Sequence, residues 1–368
     1  MATGAAPGFE LEPVDFKDIP GWTEDDHRAA MAALRQGAAV LDSHPPKRRS
    51  TGVDPVALAA SIARAEALGD VGEEAARAFF EAEFRPFEVH PASGPGFFTG
   101  YYEPVVPGSR TPSAAFSTPI YRRPDDLVEV DPDDPPAGIE PGTRFARRLA
   151  GGFAPYPDRA GIGAGFLKGR GLELVYLADP VDAFFIHIQG AARIRLAEGG
   201  DMRITYAAKS GHPYTPIGRV LIERGELPSG GATMETIRAW LAAHPDEAAG
   251  VMAENRSFIF FREAPVDDPG LGPVAAAKVP LTPGRSLAVD RLIHSFHGPA
   301  WVDTVLADRK PFRHLMVAQD TGSAIVGAAR GDIFIGSGDA AGAIAGGLAA
   351  RGRFILFVPR RGAEGRAP

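Results

Sequence analysis

The hydrophobic pattern of the chain changes character near Gly96. Before that point apolar positions recur every three or four residues, the spacing of helices with one buried face. Residues 1–20 read as an extended lead-in, and Thr23 is suited to cap a helix running to about Gln36. Asp54-Pro55 opens a second helix with Pro at its first position, and Glu73 to Phe84 carries a third. Beyond Gly96 short apolar runs alternate with breakers. GFFTGYYEPVVPG, TPIYRR, LELVYLADP, DAFFIHIQGAARIRL and MRITYAAK together predict an all-β stretch to about residue 215. Helices are predicted after Thr215-Pro216 and Thr233, with a shorter one after Pro245. β texture returns after Asn255 in SFIFFRE, VPLTPGRSLAVD, RHLMVAQDTG and AIVGAARGDIFIG. A Gly/Ala-rich helix at about 340–350 and a last strand, RFILFVP, come after these. A long β stretch flanked by other textures suggests one domain inserted into another.

Composition narrows the class. The chain has 368 residues, 45% hydrophobic and 23% charged, which suits an ordinary globular protein of two or three domains with a sizeable core. Its 44 Gly and 34 Pro are dispersed, which favours short strands and turns over long helices. A formal charge of −7 gives no electrostatic reason to bind nucleic acid. The basic clusters Lys47-Arg48-Arg49, Arg147-Arg148 and Arg360-Arg361 are short and read as solvated edges. The absence of Cys excludes disulfides, thiol chemistry and an acylated cysteine in the chain as given, and suits cytosol and periplasm equally. No leader is visible, and no apolar run reaches the ~20 residues of a membrane-spanning helix.

Candidate chemistry concentrates in the last hundred residues. Asp290 follows SLAV, Asp320 follows LMVAQ, and Asp332 stands between Gly331 and IFIG. A carboxyl at a strand end is expected to be partly buried, which raises its pKa, and a neighbouring carboxylate raises it further. A carboxylic acid kept neutral can donate a proton to a leaving oxygen. The plainer reading is that each Asp bonds turn backbone, as Asp before Gly or Thr commonly does. The glycine-rich flanks, Asp320-Thr321-Gly322-Ser323 and Gly336-Ser337-Gly338, weigh towards close approach of a substrate to the backbone.

These residues also carry a resemblance. SLAVDR, MVAQDTGSAIVGAARGDIFIGSGDAAGAIAG and RFILFVPR resemble the three-aspartate domain of the membrane-bound lytic transglycosylase A family. Upstream, FFTGYYEPVV with TPIYRRP, DAFFIHIQGAARIRL, TYAAKSGHPYTPIGRVLIERGEL and ENRSFIFFRE resemble further motifs of that family in the expected order, so the likeness spans about residues 97–359. The resemblance implies a mainly β fold with peripheral helices: a double-psi β-barrel domain (1–98 and 252–368, with a three-aspartate segment 285–359) and an inserted smaller β-domain (99–251), with a groove between them. It implies cleavage of the β-1,4 bond from N-acetylmuramic acid to N-acetylglucosamine in peptidoglycan without water, giving a 1,6-anhydro product. Asp332 maps to the catalytic acid/base, with Asp320 and Asp290 as its companions. One acid suffices when the nucleophile is the sugar's own 6-hydroxyl, whereas hydrolysing glycosidases need two. The implied setting is the periplasmic side of the cell envelope. Glycan strands are the implied partner, cell-wall synthesis or division machinery is a candidate partner, and neither cofactor nor metal is expected.

Other residues are candidates for holding glycan. Thr99-Gly100 precedes Tyr101 and Tyr102, of which one is expected to face the substrate and the other the core, because neighbours on a strand point to opposite sides. Gln189, after what reads as an apolar strand, suits an acetamido group; Lys209 suits lactyl or peptide carboxylates; Ser337 lies in the Gly-rich turn. The match lapses after Asp290, where Arg291 to Trp301 contains His294 and His297 three residues apart, a spacing that invites a metal reading but has no well-placed acidic ligand. Two alternatives are a non-catalytic peptidoglycan-binding protein on the same fold and an aspartic-protease-like enzyme using Asp320-Thr321-Gly322. The second lacks a second Asp-Thr/Ser-Gly in this chain.

Overall fold

The computed structural model describes residues 8–92 and 94–360. The chain forms two compact units, one of residues up to Tyr102 together with those from Asp268 onward, the other Glu103–Asp267. Both are mainly β with helices. Among the described residues no helix is long and apolar enough to cross a membrane.

In the first unit six strands close into a ring. Around it run Ala349–Pro359, Pro299–Val305, Pro311–Asp320, Ser286–Val289, Arg330–Ser337 and Gly96–Glu103, which pairs back with Ala349–Pro359. Closure leaves these strands no free edge within the ring. Ala349–Pro359 also pairs with Phe84–Pro91, which in turn carries Phe9–Pro13. Ser286–Val289 lies between the strands that bear Asp320 and Asp332. It runs parallel to Pro311–Asp320 on one side and antiparallel to Arg330–Ser337 on the other. Leu287, Val289, Trp301, Leu315, Val317, Ile333 and Phe354 are buried in one apolar core. Three helices, His27–Arg35, Pro55–Leu68 and Glu73–Glu83, add Leu34, Leu58, Ile62 and Phe80 to it.

The segment before the first helix is pinned by a buried charge. Asp25 accepts from both terminal nitrogens of Arg285 at 2.8 Å, from Leu315 N at 2.8 Å and from His314 Nδ1 at 2.7 Å. Burial alone would raise this carboxyl, but His314 and Arg285 hold it well below the usual carboxylate range.

The second unit is built on a six-stranded sheet ordered Ile259–Ala264, Asp201–Lys209, Ala191–Leu196, Val105–Ser109, Glu173–Leu177 and Thr118–Tyr121. A small sheet of Leu127–Glu129, Phe145–Leu149 and Gly152–Ala154 accompanies it. Inside, Glu103 pairs with Arg203 Nε at 2.6 Å and Arg193 Nη2 at 3.1 Å.

Several elements differ from the sequence reading. Thr23 falls in a 3-10 turn, Trp22–Glu24, and the helix begins at His27. Asp26 caps it, accepting from Ala29 N at 3.1 Å. DAFFIHIQ is a helix, Pro180–Gln189, and only Ala191–Leu196 of that run is a strand. The local signals explain this: Asp179 accepts from Val181 N at 2.7 Å, Pro180 takes the first helical position, and Gly190 ends the helix with φ +78°. That helix is apolar almost all round because it packs between the sheet and Ile217–Glu223, Met234–Ala243 and Pro245–Ala253. Its hydrophobic stripe therefore does not stand out. Thr215 does not cap Ile217–Glu223, whose N-cap is Pro216. Thr233, by contrast, closes a capping box with Thr236. The strands Phe84–Pro91 and Pro299–Val305 lie in stretches whose pattern predicts no strand.

Candidate active site

Asp332 and Asp320 reach the same residue from opposite sides. Ala288, in the middle of the Ser286–Val289 strand, is paired with Asp320 on one neighbour and with Asp332 on the other. Neighbouring strands are about 4.8 Å apart, so the two backbones stand roughly 10 Å from each other. Residues paired across a ladder share a face, and the small Ala288 side chain leaves room between them. A register shift between Leu287 and Ala288 sets Asp320, rather than Gln319, opposite Ala288. Gln319 points into the core instead, where it bonds Ser286 Oγ at 2.5 Å and Ala33 O at 2.8 Å.

The Gly96–Glu103 strand completes the cluster. Thr99 Oγ1 donates to Asp332 Oδ1 at 2.5 Å, and Tyr101 Oη donates to Asp320 Oδ2 at 2.9 Å. Ala276 N donates to Asp320 Oδ1 at 3.3 Å. Thr99 and Tyr101 share one face of the strand, while Phe98 and Tyr102 face inward. Gly100 is required by packing: a Cβ there would stand 2.8 Å from Ala345 Cα on the helix Asp339–Gly346. Tyr102 lies against Gly342 of the same helix, where a Cβ would meet its ring at 2.8 Å. Strand alternation thus divides the two tyrosines, with Tyr101 on the carboxyl side and Tyr102 in the core.

Electrostatics separates these carboxyls from ordinary ones. Burial pushes Asp320 up to about 6, against its hydrogen bonds from Thr321 N, Tyr101 and Ala276 N and with the charge of Asp332 adding to the rise. Burial also raises Asp332, opposed by Thr99 and Arg330. Burial and both carboxyls hold Tyr101 well above the ordinary phenol range, so it stays a donor. The result is two neighbouring acids, each biased towards the neutral form.

Asp290 is differently employed. It is 8% exposed, and its oxygens accept from Leu292 N at 3.0 Å and Gly327 N at 2.9 Å. This is the turn-binding role, and it fixes the loop that leads into the Asp332 strand. His294 Nε2 bonds Ala328 O at 2.7 Å in the same region. Burial lowers both His294 and His297 to about 4, so both are neutral at neutral pH. Ser337 ends the Asp332 strand. Gln189 and Lys209 belong to the second unit, at the end of the helix Pro180–Gln189 and of the strand Asp201–Lys209.

One residue of the cluster, Arg330, escapes the sequence reading. Its Nη2 donates to Thr99 Oγ1 at 2.6 Å. The available signal is its place two residues before Asp332, hence on the same face of a strand.

Similarity to known proteins centres on the same residues. Residues 97–262 match the family model described as MltA specific insert domain, and residues 285–358 match the 3D domain. The crystal structure of a membrane-bound lytic murein transglycosylase from Agrobacterium tumefaciens is 46% identical, with a TM-score of 0.88 over 95% of this chain and 98% of that one. MltA from Neisseria gonorrhoeae is 33% identical, with a TM-score of 0.80 over 100% of this chain and 96% of that one. The chain belongs to the membrane-bound lytic murein transglycosylase A family. Within that family, membrane-bound lytic murein transglycosylase A of Escherichia coli K12 is 34% identical over 277 residues, 72% of this chain. The match spans 66% of that curated relative's length. A structure of E. coli MltA with bound chitohexaose is 25% identical, with a TM-score of 0.66 over 96% of this chain and 92% of that one. Family membership displaces the protease expectation for Asp320-Thr321-Gly322.

Proposed function

We propose that this chain is a lytic transglycosylase of the cell envelope that cuts the β-1,4 bond between N-acetylmuramic acid and N-acetylglucosamine, with Asp332 as the single acid/base. The observation that carries the reading is the pairing of Asp332 and Asp320 across Ala288, with burial biasing both towards the neutral acid. Asp332 donates its proton to the glycosidic oxygen as the bond to muramyl C1 breaks. The muramyl 6-hydroxyl then adds to C1, and its proton passes to the Asp332 carboxylate. The acid is thereby restored, and no water is consumed. Attack within one sugar replaces an encounter with a second molecule, a large entropic advantage. Asp320, steadied by Tyr101 and Ala276, is the second charge that keeps Asp332 protonated and faces the oxocarbenium-like centre. Asp290 serves the site through the Gly327 loop. Thr99, Gly100, Tyr101, Tyr102, Gln189, Lys209 and Ser337 are proposed as glycan-contacting or glycan-shaping positions. Glycan strands as the ligand are supported by the chitohexaose bound to the E. coli relative.

The closed ring, in which Ser286–Val289 runs parallel to the strand that bears Asp320, is the architecture we propose to be a double-psi β-barrel. Digestion of purified sacculi by the wild-type protein, followed by mass spectrometry, is expected to release 1,6-anhydromuramyl products. Products with only reducing ends would mean a hydrolase, and no products at all would favour a binding protein.

A further inference from the structure

We propose that Arg330 is a positioning residue that fixes which oxygen of Asp332 carries the catalytic proton, acting through the hydroxyl of Thr99. This rests on the transglycosylase reading of the same site. Arg330 is clamped on several sides. Its Nη1 donates to Gly331 O and, at 3.5 Å, to Phe97 O; its Nη2 donates to Thr99 Oγ1 at 2.6 Å; and its Cζ lies 5.4 Å from the centre of the Phe97 ring. Among the described residues no carboxylate lies within ion-pair distance of its guanidinium. The nearest charge it serves is Asp332, one hydroxyl away.

Donor and acceptor capacity, with the geometry of Thr99, gives the direction of the chain. A guanidinium has hydrogens and no usable lone pair, so Thr99 Oγ1 must be the acceptor in the Arg330 bond. Thr99 has one hydroxyl hydrogen, and the 2.5 Å contact to Asp332 Oδ1 is where it goes. An Oδ1 that accepts this hydrogen bond is not the protonated oxygen of the neutral acid. The acid proton of Asp332 therefore resides on Oδ2, free of Thr99. The Arg330 bond takes one of the two lone pairs of Thr99 Oγ1 and orients the hydroxyl; without it Thr99 is freer to turn its hydrogen away and accept from a protonated Oδ1, which would hold the proton in an unproductive bond. The same arrangement stabilises the carboxylate that forms once the proton has been given up, because both Arg330 and the Thr99 hydroxyl favour negative charge on Asp332. The other titratable groups facing Asp332 are Tyr101 and Asp320.

The test compares wild type with Arg330→Met, Arg330→Lys and Thr99→Val, each checked for folding by circular dichroism. Release of anhydro products gives kcat, KM and the pH profile, and 13C NMR of labelled aspartate follows the Asp332 carboxyl without substrate. Arg330→Met is expected to lower kcat about tenfold, the order of one lost proton-placing bond, with KM little changed. Its Asp332 titration and the alkaline limb of kcat/KM are expected to move to higher pH. Arg330→Lys, which keeps the charge and a donor, is expected to bring the titration most of the way back. Thr99→Val is expected to reproduce the Arg330→Met shift even with Arg330 present. An Arg330→Met enzyme with wild-type kcat and an unmoved titration would overturn the proposal. So would a loss confined to KM, which would make Arg330 a glycan-binding residue. If Arg330→Met does not fold, Thr99→Val and Arg330→Lys decide by the same titration. Should wild type release no anhydro product, the transglycosylase reading fails, while the NMR titration still judges the Arg330–Thr99–Asp332 chain on its own.

Discussion

Exchanging Asp332 for Asn is expected to cut the release of anhydro products by at least ~10³-fold while leaving the melting temperature at or above that of wild type. Asn has nearly the same volume, and its Oδ1 can still accept the 2.5 Å bond from Thr99. What it lacks is a transferable proton. General acid/base catalysis contributes ~10²–10⁴-fold where one residue serves one step, and here one carboxyl serves both the departure of the glycosidic oxygen and the attack of the 6-hydroxyl. Asp332 is also raised by burial, so ionising it costs the fold stability that Asn does not cost. Rate and melting curve should be measured on the same preparation. A variant within tenfold of wild type would remove Asp332 from the mechanism, whereas a variant that is inactive because it has unfolded would show in the melt.

Asp320→Asn is expected to do two things at once: slow catalysis and stabilise the protein above pH 6. Its folded pKa of about 6 lies above the ordinary 3.8. A carboxyl whose folded pKa is raised binds its proton more tightly in the folded state. Its favourable contribution is therefore complete below pH 3.8 and is lost as pH rises through about 6. The shift corresponds to about 3 kcal/mol, or nearer 2 after allowing for the partial exposure of the side chain. Asn never ionises and escapes the penalty, and its Oδ1 can keep the bond from Ala276 N. Chemical denaturation from pH 4 to pH 8 is the measurement. The two proteins should coincide at the acid end and separate by about 2 kcal/mol at the other. Equal stability at pH 8 would mean that Asp320 is not held in the raised state. Because the two carboxyls repel each other, removing Asp320 should also draw the alkaline limb of the rate profile to lower pH, opposite to the effect expected for Arg330→Met.

Much of this site is legible in the sequence for a definite reason. Asp320 and Asp332 end or interrupt apolar runs, and Thr99 and Tyr101 alternate with the core-facing Phe98 and Tyr102, so period-two reasoning and the ordered motifs converge on them. Asp290 shows where pattern reasoning stops. Its flank resembles the others, but whether its oxygens meet a substrate or the N–H groups of Leu292 and Gly327 depends on loop geometry that no local pattern encodes. Arg330 is hidden because its partner hydroxyl lies 231 positions away. The helix Pro180–Gln189 reads as a strand because it is enclosed by the sheet and three helices; apolar on nearly all sides, it loses the 3.6-residue stripe that distinguishes a helix from a strand. Its Asp-Pro start and Gly end outweigh the β-prone Phe and Ile between them.

Closing the ring depends on the inserted unit. Thr99 is made before the second unit and Asp332 after it, so the two can meet only when the chain has returned across the about 165 residues of that unit, Glu103–Asp267. Left as random coil, a loop of that size carries a closure entropy of roughly 4–5 kcal/mol. Once its own sheet forms, however, the strands Val105–Ser109 and Ile259–Ala264 lie three places apart in it, a span of about 14 Å. Folding of the second unit thus shortens the tether between the two halves of the ring to that of a brief turn. The speed and durability of a unit that contains neither Asp320 nor Asp332 thereby set how readily those acids come together with Thr99.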